Sequence, residues 1–192
     1  MASTYLYRTP TTQTIDKYTM SFWVKRSGLG STQRIYSHHQ TNYMWCRFES
    51  SDQFRFTQVV SGNETTLRTD RVFRDASAWY HFVITFDTTQ STEADRIKLW
   101  VNGVQETSFN LSTYPSQDAT VEAFNSGTPF EISRYSVDNT EFLDGSLAHC
   151  HMTVAYAYPA STFGETDSTS GIWKPKIAPS VTYGTNGFFL KF

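Results

Sequence analysis

Residues 79–87, Trp79-Tyr80-His81-Phe82-Val83-Ile84-Thr85-Phe86-Asp87, alternate with a period of two, and both faces are partly apolar. Tyr80, Phe82, Ile84 and Phe86 form one face. Trp79, His81, Val83 and Thr85 form the other. A strand that is apolar on both sides needs cover on both sides, so it belongs at the centre of a sheet and not at its edge. A second strand, Ile97-Lys98-Leu99-Trp100-Val101, puts Ile97, Leu99 and Val101 on one face and ends in Asn102-Gly103. That dipeptide favours a two-residue hairpin turn, because such turns need φ > 0. A third segment, Phe142-Leu143-Asp144-Gly145-Ser146-Leu147-Ala148, reads as a turn feeding a strand.

The rest of the chain repeats this grammar. Tyr18, Met20, Phe22 and Val24 share a face over residues 18–25, with Trp23 opposite. Residues 43–48 and 54–60 pair through Ser50-Ser51-Asp52, with Phe54 and Phe56 facing inward. Residues 66–69 are a weaker strand, and 109–119 are looser, interrupted by Pro115. Over 147–156, strict alternation places Ala148, Cys150, Met152, Val154 and Tyr156 on one face. It places Leu147, His149, His151, Thr153 and Ala155 on the other. Residues 36–39 read as loop. The fold class is therefore all-β, a two-sheet antiparallel β-sandwich. A single domain over 1–192 suits 192 residues, with an irregular segment 157–186 packed on it and a terminal strand 187–192.

Composition removes several functions. Net charge is −2, with lysines and arginines scattered. A nucleic-acid binder needs a positive track, and there is none. No run is long enough to span a membrane. The start, Met1-Ala2-Ser3-Thr4-Tyr5, has neither a basic nor an apolar leader region, so no signal peptide is expected. Cys46 and Cys150 read as buried free thiols. The glutamates Glu64, Glu93, Glu122, Glu131 and Glu141 stand singly. No nucleophile elbow, phosphate loop or metalloprotease helix occurs, and the chain is read as non-enzymatic. His149 and His151 lie two apart on a strand, with His38-His39 as a third donor that zinc would require. Tyr36, Tyr43, Tyr135 and Tyr158, in or beside loops, are the candidate rim aromatics for stacking on sugars or anchoring a partner.

The three segments of the opening argument resemble the laminin G-like, concanavalin A-like jelly-roll superfamily. The matching residues are Trp79 and His81, then Leu99 through Asn102 and Gly103, then Gly145 through Ala148, and they are hallmarks of structure. The chain is also similar to the version of this domain found in tailed-bacteriophage structural and tail-associated proteins. The carriers of that likeness include Tyr5-Leu6-Tyr7-Arg8-Thr9-Pro10, Trp23-Val24-Lys25-Arg26, Ser51-Asp52-Gln53-Phe54, Val72-Phe73-Arg74-Asp75 and Gly171-Ile172-Trp173-Lys174-Pro175-Lys176. The resemblance implies a virion surface protein made in the host cytoplasm, a capsid decoration protein above all. Its implied partners are other capsid or tail proteins and copies of itself. The alternative it implies is a tail or fibre-associated lectin-like adhesin that recognises a host glycan. No cofactor is required. Relatives often carry calcium at the sandwich rim, and the oxygen-rich set here is Asp138, Asn139, Glu141 and Asp144.

Overall fold

The computed structural model describes residues 4–124, 127–135 and 137–192. In chain order the strands are β1 (Leu6–Arg8), β2 (Gln13–Ile15), β3 (Lys17–Arg26), β4 (Gln33–His39), β5 (Tyr43–Phe48) and β6 (Gln53–Val60). Then come β7 (Asn63–Val72), β8 (Tyr80–Asp87), β9 (Ile97–Val101), β10 (Val104–Glu106), β11 (Phe109–Thr113) and β12 (Val121–Phe124). The last five are β13 (Phe130–Ile132), β14 (Gly145–Val154), β15 (Gly164–Thr166), β16 (Trp173–Pro175) and β17 (Phe188–Leu190). Among the described residues they make a seven-stranded sheet, β1-β13-β4-β5-β6-β7-β11, and a six-stranded sheet, β10-β9-β8-β3-β14-β17. Two small pairs, β12-β2 and β15-β16, accompany them. Every described pairing between named strands is antiparallel.

The core lies between the two sheets. Tyr18, Met20, Phe22 and Val24 of β3 are all buried, as are Tyr80, Phe82, Ile84 and Phe86 of β8. They meet Met44, Cys46, Phe48, Phe54 and Phe56 from the other sheet. Phe82 stacks on Phe54 at 4.3 Å and meets Phe48 edge-on at 5.8 Å. Offset and edge contacts of this kind add to the burial of the rings themselves.

The second face of β8 is covered by the C-terminal segment. Val83 packs with Ala160 and Phe163, and Trp100, Tyr158, Trp173 and Val181 join that cluster. The Thr85 hydroxyl donates to the Tyr158 carbonyl, and the Tyr158 N–H donates to Thr19 Oγ1 at 2.8 Å. The chain thus carries its own strap across the outside of the six-stranded sheet. This explains why the strand at 79–87 is apolar on both faces.

Three sequence expectations are corrected here. Residues 33–39 form β4, a strand inside the seven-stranded sheet, and not a loop. A register shift between Arg34 and Tyr36 makes Ile35 and Tyr36 both buried, which erases the alternation. Tyr36 is therefore a core residue at 1% exposure, against Phe22 and Phe130, and not a rim aromatic. In β14 a bulge between Ala148 and His151 breaks the strict alternation. His149 takes φ 46°, and Leu147 turns inward while Ala148 turns outward with Trp23.

The hallmark turn and glycine have plain physical causes. Asn102 and Gly103 have φ of 51° and 80°, as the turn requires. Asn102 Oδ1 accepts from the His81 N–H at 2.7 Å, pinning the turn to β8. A Cβ on Gly103 would lie 2.6 Å from the Trp173 ring. At Gly145 a Cβ would lie 2.3 Å from the Lys25 carbonyl oxygen, where β14 joins β3. Gly145→Ala is expected to cost about 1–3 kcal/mol, as overpacking against backbone does. Urea denaturation checks this, and Ser146→Ala, one residue on and exposed, should stay near wild type.

Candidate functional site

The outer face of the seven-stranded sheet gathers aromatic and charged groups. Tyr43, Trp45 and Arg47 alternate along β5 and so project together. Arg34 and His39 come from β4, Arg55 from β6, and Glu64 from β7. The loop after β13 supplies Tyr135, Asn139 and Glu141. Ser133, Asn139 and Glu141 have φ of 75°, 57° and 54°, so this loop holds three non-glycine residues in the left-handed region.

Trp45 is the centre. The guanidinium carbons of Arg47, Arg34 and Arg55 lie 4.4, 4.9 and 5.2 Å from its ring. Arg34 also sits 4.2 Å over Tyr135. His39 stacks on Tyr43 at 5.3 Å and meets Tyr135 edge-on at 5.5 Å. Glu141 accepts from Arg34 Nε at 2.7 Å and from Arg47 Nη1 at 3.3 Å. Arg47 Nε donates to Glu49 at 3.2 Å, and Arg55 Nη2 donates to Glu64 at 3.1 Å. Arg34 is 3% exposed, and its Nη1 is buried without a hydrogen-bond partner. Burial lowers the Arg34 pKa, and the Glu141 carboxylate works against that shift. The face carries donors and acceptors side and side, with no excess of one charge among these three arginines and three glutamates.

Sequence reasoning found part of this. Tyr43 and Tyr135 belong to the face. Tyr158 does not, because it anchors the strap on the opposite sheet, where its hydroxyl accepts from the Thr182 N–H at 3.0 Å. Trp45, Arg34, Arg47 and Arg55 were missed. The period-two run Tyr43-Trp45-Arg47 was the available signal.

The oxygen-rich set does not converge. Glu141 is held by two arginines, Asn139 accepts from Arg134 Nη1 at 2.7 Å, and Asp138 accepts from Thr140. Asp144 sits apart beside Gly28, its carbonyl accepting from the Ser27 N–H. Guanidinium groups already engage Glu141 and Asn139. Among the described residues no three histidine, cysteine, aspartate or glutamate side chains gather as a metal would require. His38-His39 and His149-His151 lie on different sheets.

Trp79 precedes β8 and is 41% exposed, whereas His81 is fully buried. His81 Nδ1 accepts from Trp173 Nε1 at 2.9 Å, and its Nε2 faces Ser21 Oγ at 2.9 Å. An indole N–H can only donate, so Nδ1 is unprotonated and the ring neutral, with Nε2–H donating to Ser21. Burial, then the nearby His151 and His149, lowers the His81 pKa to about 3. Cys46 and Cys150 are free and buried.

A hollow of about 440 Å³ lies elsewhere, between Thr4–Leu6, residues 142–147 and Phe192 at the sandwich edge. Its lining offers little convergent polar chemistry. The aromatic and ionic face of Trp45 is the better candidate for recognition.

Two packed antiparallel sheets with such a face define a lectin-like β-sandwich. Residues 2–152 match the Concanavalin A-like lectin/glucanases superfamily, and the chain belongs to that superfamily. No curated protein matches by sequence. Among solved structures, the native heptameric SAP-like pentraxin from Limulus polyphemus is similar at TM-score 0.56 and 13% identity, covering 97% of this chain and 88% of that one. Domain 4 of AbnA, an extracellular arabinanase from Geobacillus stearothermophilus solved with arabinotriose, is similar at TM-score 0.53 and 18% identity, covering 76% and 64%. The enzymatically active domain of tailspike protein 2 from bacteriophage CBA120 is similar at TM-score 0.50 and 11% identity, covering 83% of this chain and 25% of that one. At these identities the likeness is one of fold. Among the described residues no helix is long and apolar enough to cross a membrane.

Proposed function

We propose that the protein is a non-catalytic carbohydrate-recognition module whose sugar-binding surface is the outer face of the seven-stranded sheet. The observation that carries this is Trp45, ringed by Arg34, Arg47 and Arg55 with their carboxylate partners. Sugar hydroxyls both donate and accept, and a face of alternating guanidinium and carboxylate groups offers both. Balanced charge suits a neutral saccharide better than a polyanion. Tyr43 and Tyr135 supply ring faces at its border. Each glutamate of the face is ion-paired with arginine, an arrangement suited to binding and not to donating a proton to a glycosidic oxygen. The likeness to an arabinanase domain solved with arabinotriose supports a saccharide as the ligand class.

The setting we propose is the surface of a tailed-phage particle, where copies of the chain contact one another and other capsid or tail proteins. The phage-type sequence segments support it, as does the fold-level likeness to a phage tailspike. On a decorated head the module would be structural first. On a tail it would serve adhesion, recognising host surface polysaccharide.

A glycan array of capsular and lipopolysaccharide sugars, with and without calcium, tests the binding reading. Saturable binding is expected, weakened roughly tenfold or more in Tyr135→Ala and Tyr43→Ala. Silence across the array would end the lectin reading. Electron cryomicroscopy of native particles tests the setting, and absence of the chain from purified particles would exclude it.

A further inference from the structure

A longer row of charge runs through the candidate face than the Trp45 cluster alone requires. In the sheet order β4-β5-β6-β7, Arg34 pairs with Arg47, Arg47 with Arg55, and Arg55 with Arg68. Four arginines therefore stand side by side on four neighbouring strands, in one line across the sheet. Like charges directly opposite each other destabilise a sheet, and this line sets three such pairs in succession. Carboxylates between the rungs offset that cost. Glu141 bridges Arg34 and Arg47, Glu49 lies against Arg47 and Arg55, and Glu64 accepts from Arg55. Uncharged residues pair across the same strands without the conflict, as Thr57 and Thr66 do one row along, their hydroxyls 2.9 Å apart. The arginine row is thus more than folding needs.

Its two ends differ. At the β4 end Tyr135 lies over the buried Arg34 guanidinium at 4.2 Å and closes the row. Arg47, Arg55 and Arg68 are half-buried and reach solvent. At the far end Arg68 Nε donates to Asn110 Oδ1 at 2.7 Å, and Asn110 is exposed on the edge strand β11. Among the described residues neither Nη group of Arg68 has a partner, and the exposed Asp70 two residues on keeps the local charge balanced. The face therefore has three open rungs, a wall at one end and an open edge at the other.

Neighbouring strands lie about 4.8 Å apart. One sugar unit of an extended β-linked chain advances by close to that length, so such a chain stays in step with the rungs. An α-linked chain coils and loses the match.

We propose that the face takes a neutral, extended β-linked saccharide lying across the strands, one sugar on each of Arg47, Arg55 and Arg68. Its end rests against Tyr135 and its continuation leaves over Asn110. With sugar recognition by this face as the premise, the row adds a length, a linkage and a direction. Each rung offers a donor beside an acceptor to the hydroxyls of one sugar, and Arg68 with Asn110 sets the minimum length at three.

The ¹⁵N-labelled full chain would be titrated with glucose, with cello-oligosaccharides of two to six units, and with malto-oligosaccharides of the same lengths. The Trp45 indole signal in ¹H–¹⁵N spectra reads binding at this face. Affinity is expected to rise roughly tenfold or more between cellobiose and cellotriose and to change little beyond. The malto series should show no such step. Arg68→Ala, which truncates a half-buried side chain outside the core, should erase the step. Equal affinity for glucose and cellohexaose would overturn the inference and leave sugar recognition standing. So would a step that Arg68→Ala leaves intact, or an equal step in the malto series. A Trp45 signal that stays still with every probe would overturn the sugar reading of this face as well.

Discussion

Asp52→Ala is expected to lower the stability of the protein by about 3–5 kcal/mol, the cost of orphaning one member of a buried ion pair. Arg26 is fully buried at the end of β3, and its Nη2 lies 3.0 Å from Asp52 Oδ1. Its Nη1 donates to the Phe73 carbonyl at 2.7 Å, and the guanidinium sits 4.3 Å over Phe48. Asp52 also accepts from the Gly30 N–H at 2.9 Å and from Arg74 Nε at 3.0 Å. Removing its carboxylate strands a charge with no water to solvate it and frees two further donors. For a chain of this size the melting temperature should fall by roughly 6–20 °C. Urea denaturation and calorimetry would measure both.

The double variant Arg26→Met/Asp52→Leu separates the pair from the position. Apolar residues of similar volume often replace a buried pair at little cost. The double variant is therefore expected to be more stable than Asp52→Ala alone. A cost below about 1 kcal/mol for Asp52→Ala would mean that Arg26 is hydrated and the pair contributes little. The pair is also acid-sensitive. Burial works to raise the Asp52 pKa, but the Gly30 N–H and the Arg74 and Arg26 guanidiniums outweigh it and hold it below 3.8. The contribution of Asp52 is thus complete above pH 3.8 and is lost as pH falls further.

This cluster shows what a sequence displays and what it hides. The segments Trp23-Val24-Lys25-Arg26, Ser51-Asp52-Gln53-Phe54 and Val72-Phe73-Arg74-Asp75 are recognisable as marks of a phage-type domain. Only the structure reveals that Arg26, Asp52 and Phe73 meet in one buried network, with the exposed Arg74 joined to it through Asp52. Periodicity reports which face of a strand is covered and says nothing of which distant strand covers it. The two sheets were legible for that reason: β3, β5, β6, β8 and β9 each carry a clean inward row. Strand β4 was not, since its bulge makes Ile35 and Tyr36 both buried while Arg34, Ser37 and His38 make it look polar. Losing β4 misplaced Tyr36 and hid Arg34, the most buried arginine of the candidate site. The reversal within β14 was hidden likewise, because one extra residue at a bulge flips every side chain before it. The Asn102-Gly103 turn was legible as a turn, but the packing of Trp173 on Gly103, far apart in sequence, was not.

Acidification is expected to destabilise the protein well before its carboxylates titrate, because two histidines under the strap are buried neutral. His81 is fully buried, and its pKa falls to about 3 through burial and the neighbouring His151 and His149. His151 is 2% exposed, and its pKa falls to about 4 through burial and His149. Unfolded histidine takes up a proton near pH 6.5. Between pH 6.5 and about 4 the unfolded chain therefore binds protons that the folded chain refuses. The stability from both rings is complete above pH 6.5 and declines as pH falls through this window, by a little over about 1 kcal/mol per pH unit for each ring. A proton on His81 Nδ1 would face the Trp173 N–H that now donates to it, so the strap should loosen first. Stability from urea denaturation at several values between pH 7 and pH 4.5 gives the slope. His151→Gln, which keeps a polar group opposite the Tyr183 hydroxyl, should remove one ring's share of it, which is less than half because burial also lowers the His38 pKa in the other sheet. A flat profile over this range would mean that both imidazoles are hydrated in the folded protein and that the strap does not seal the outer face of the six-stranded sheet.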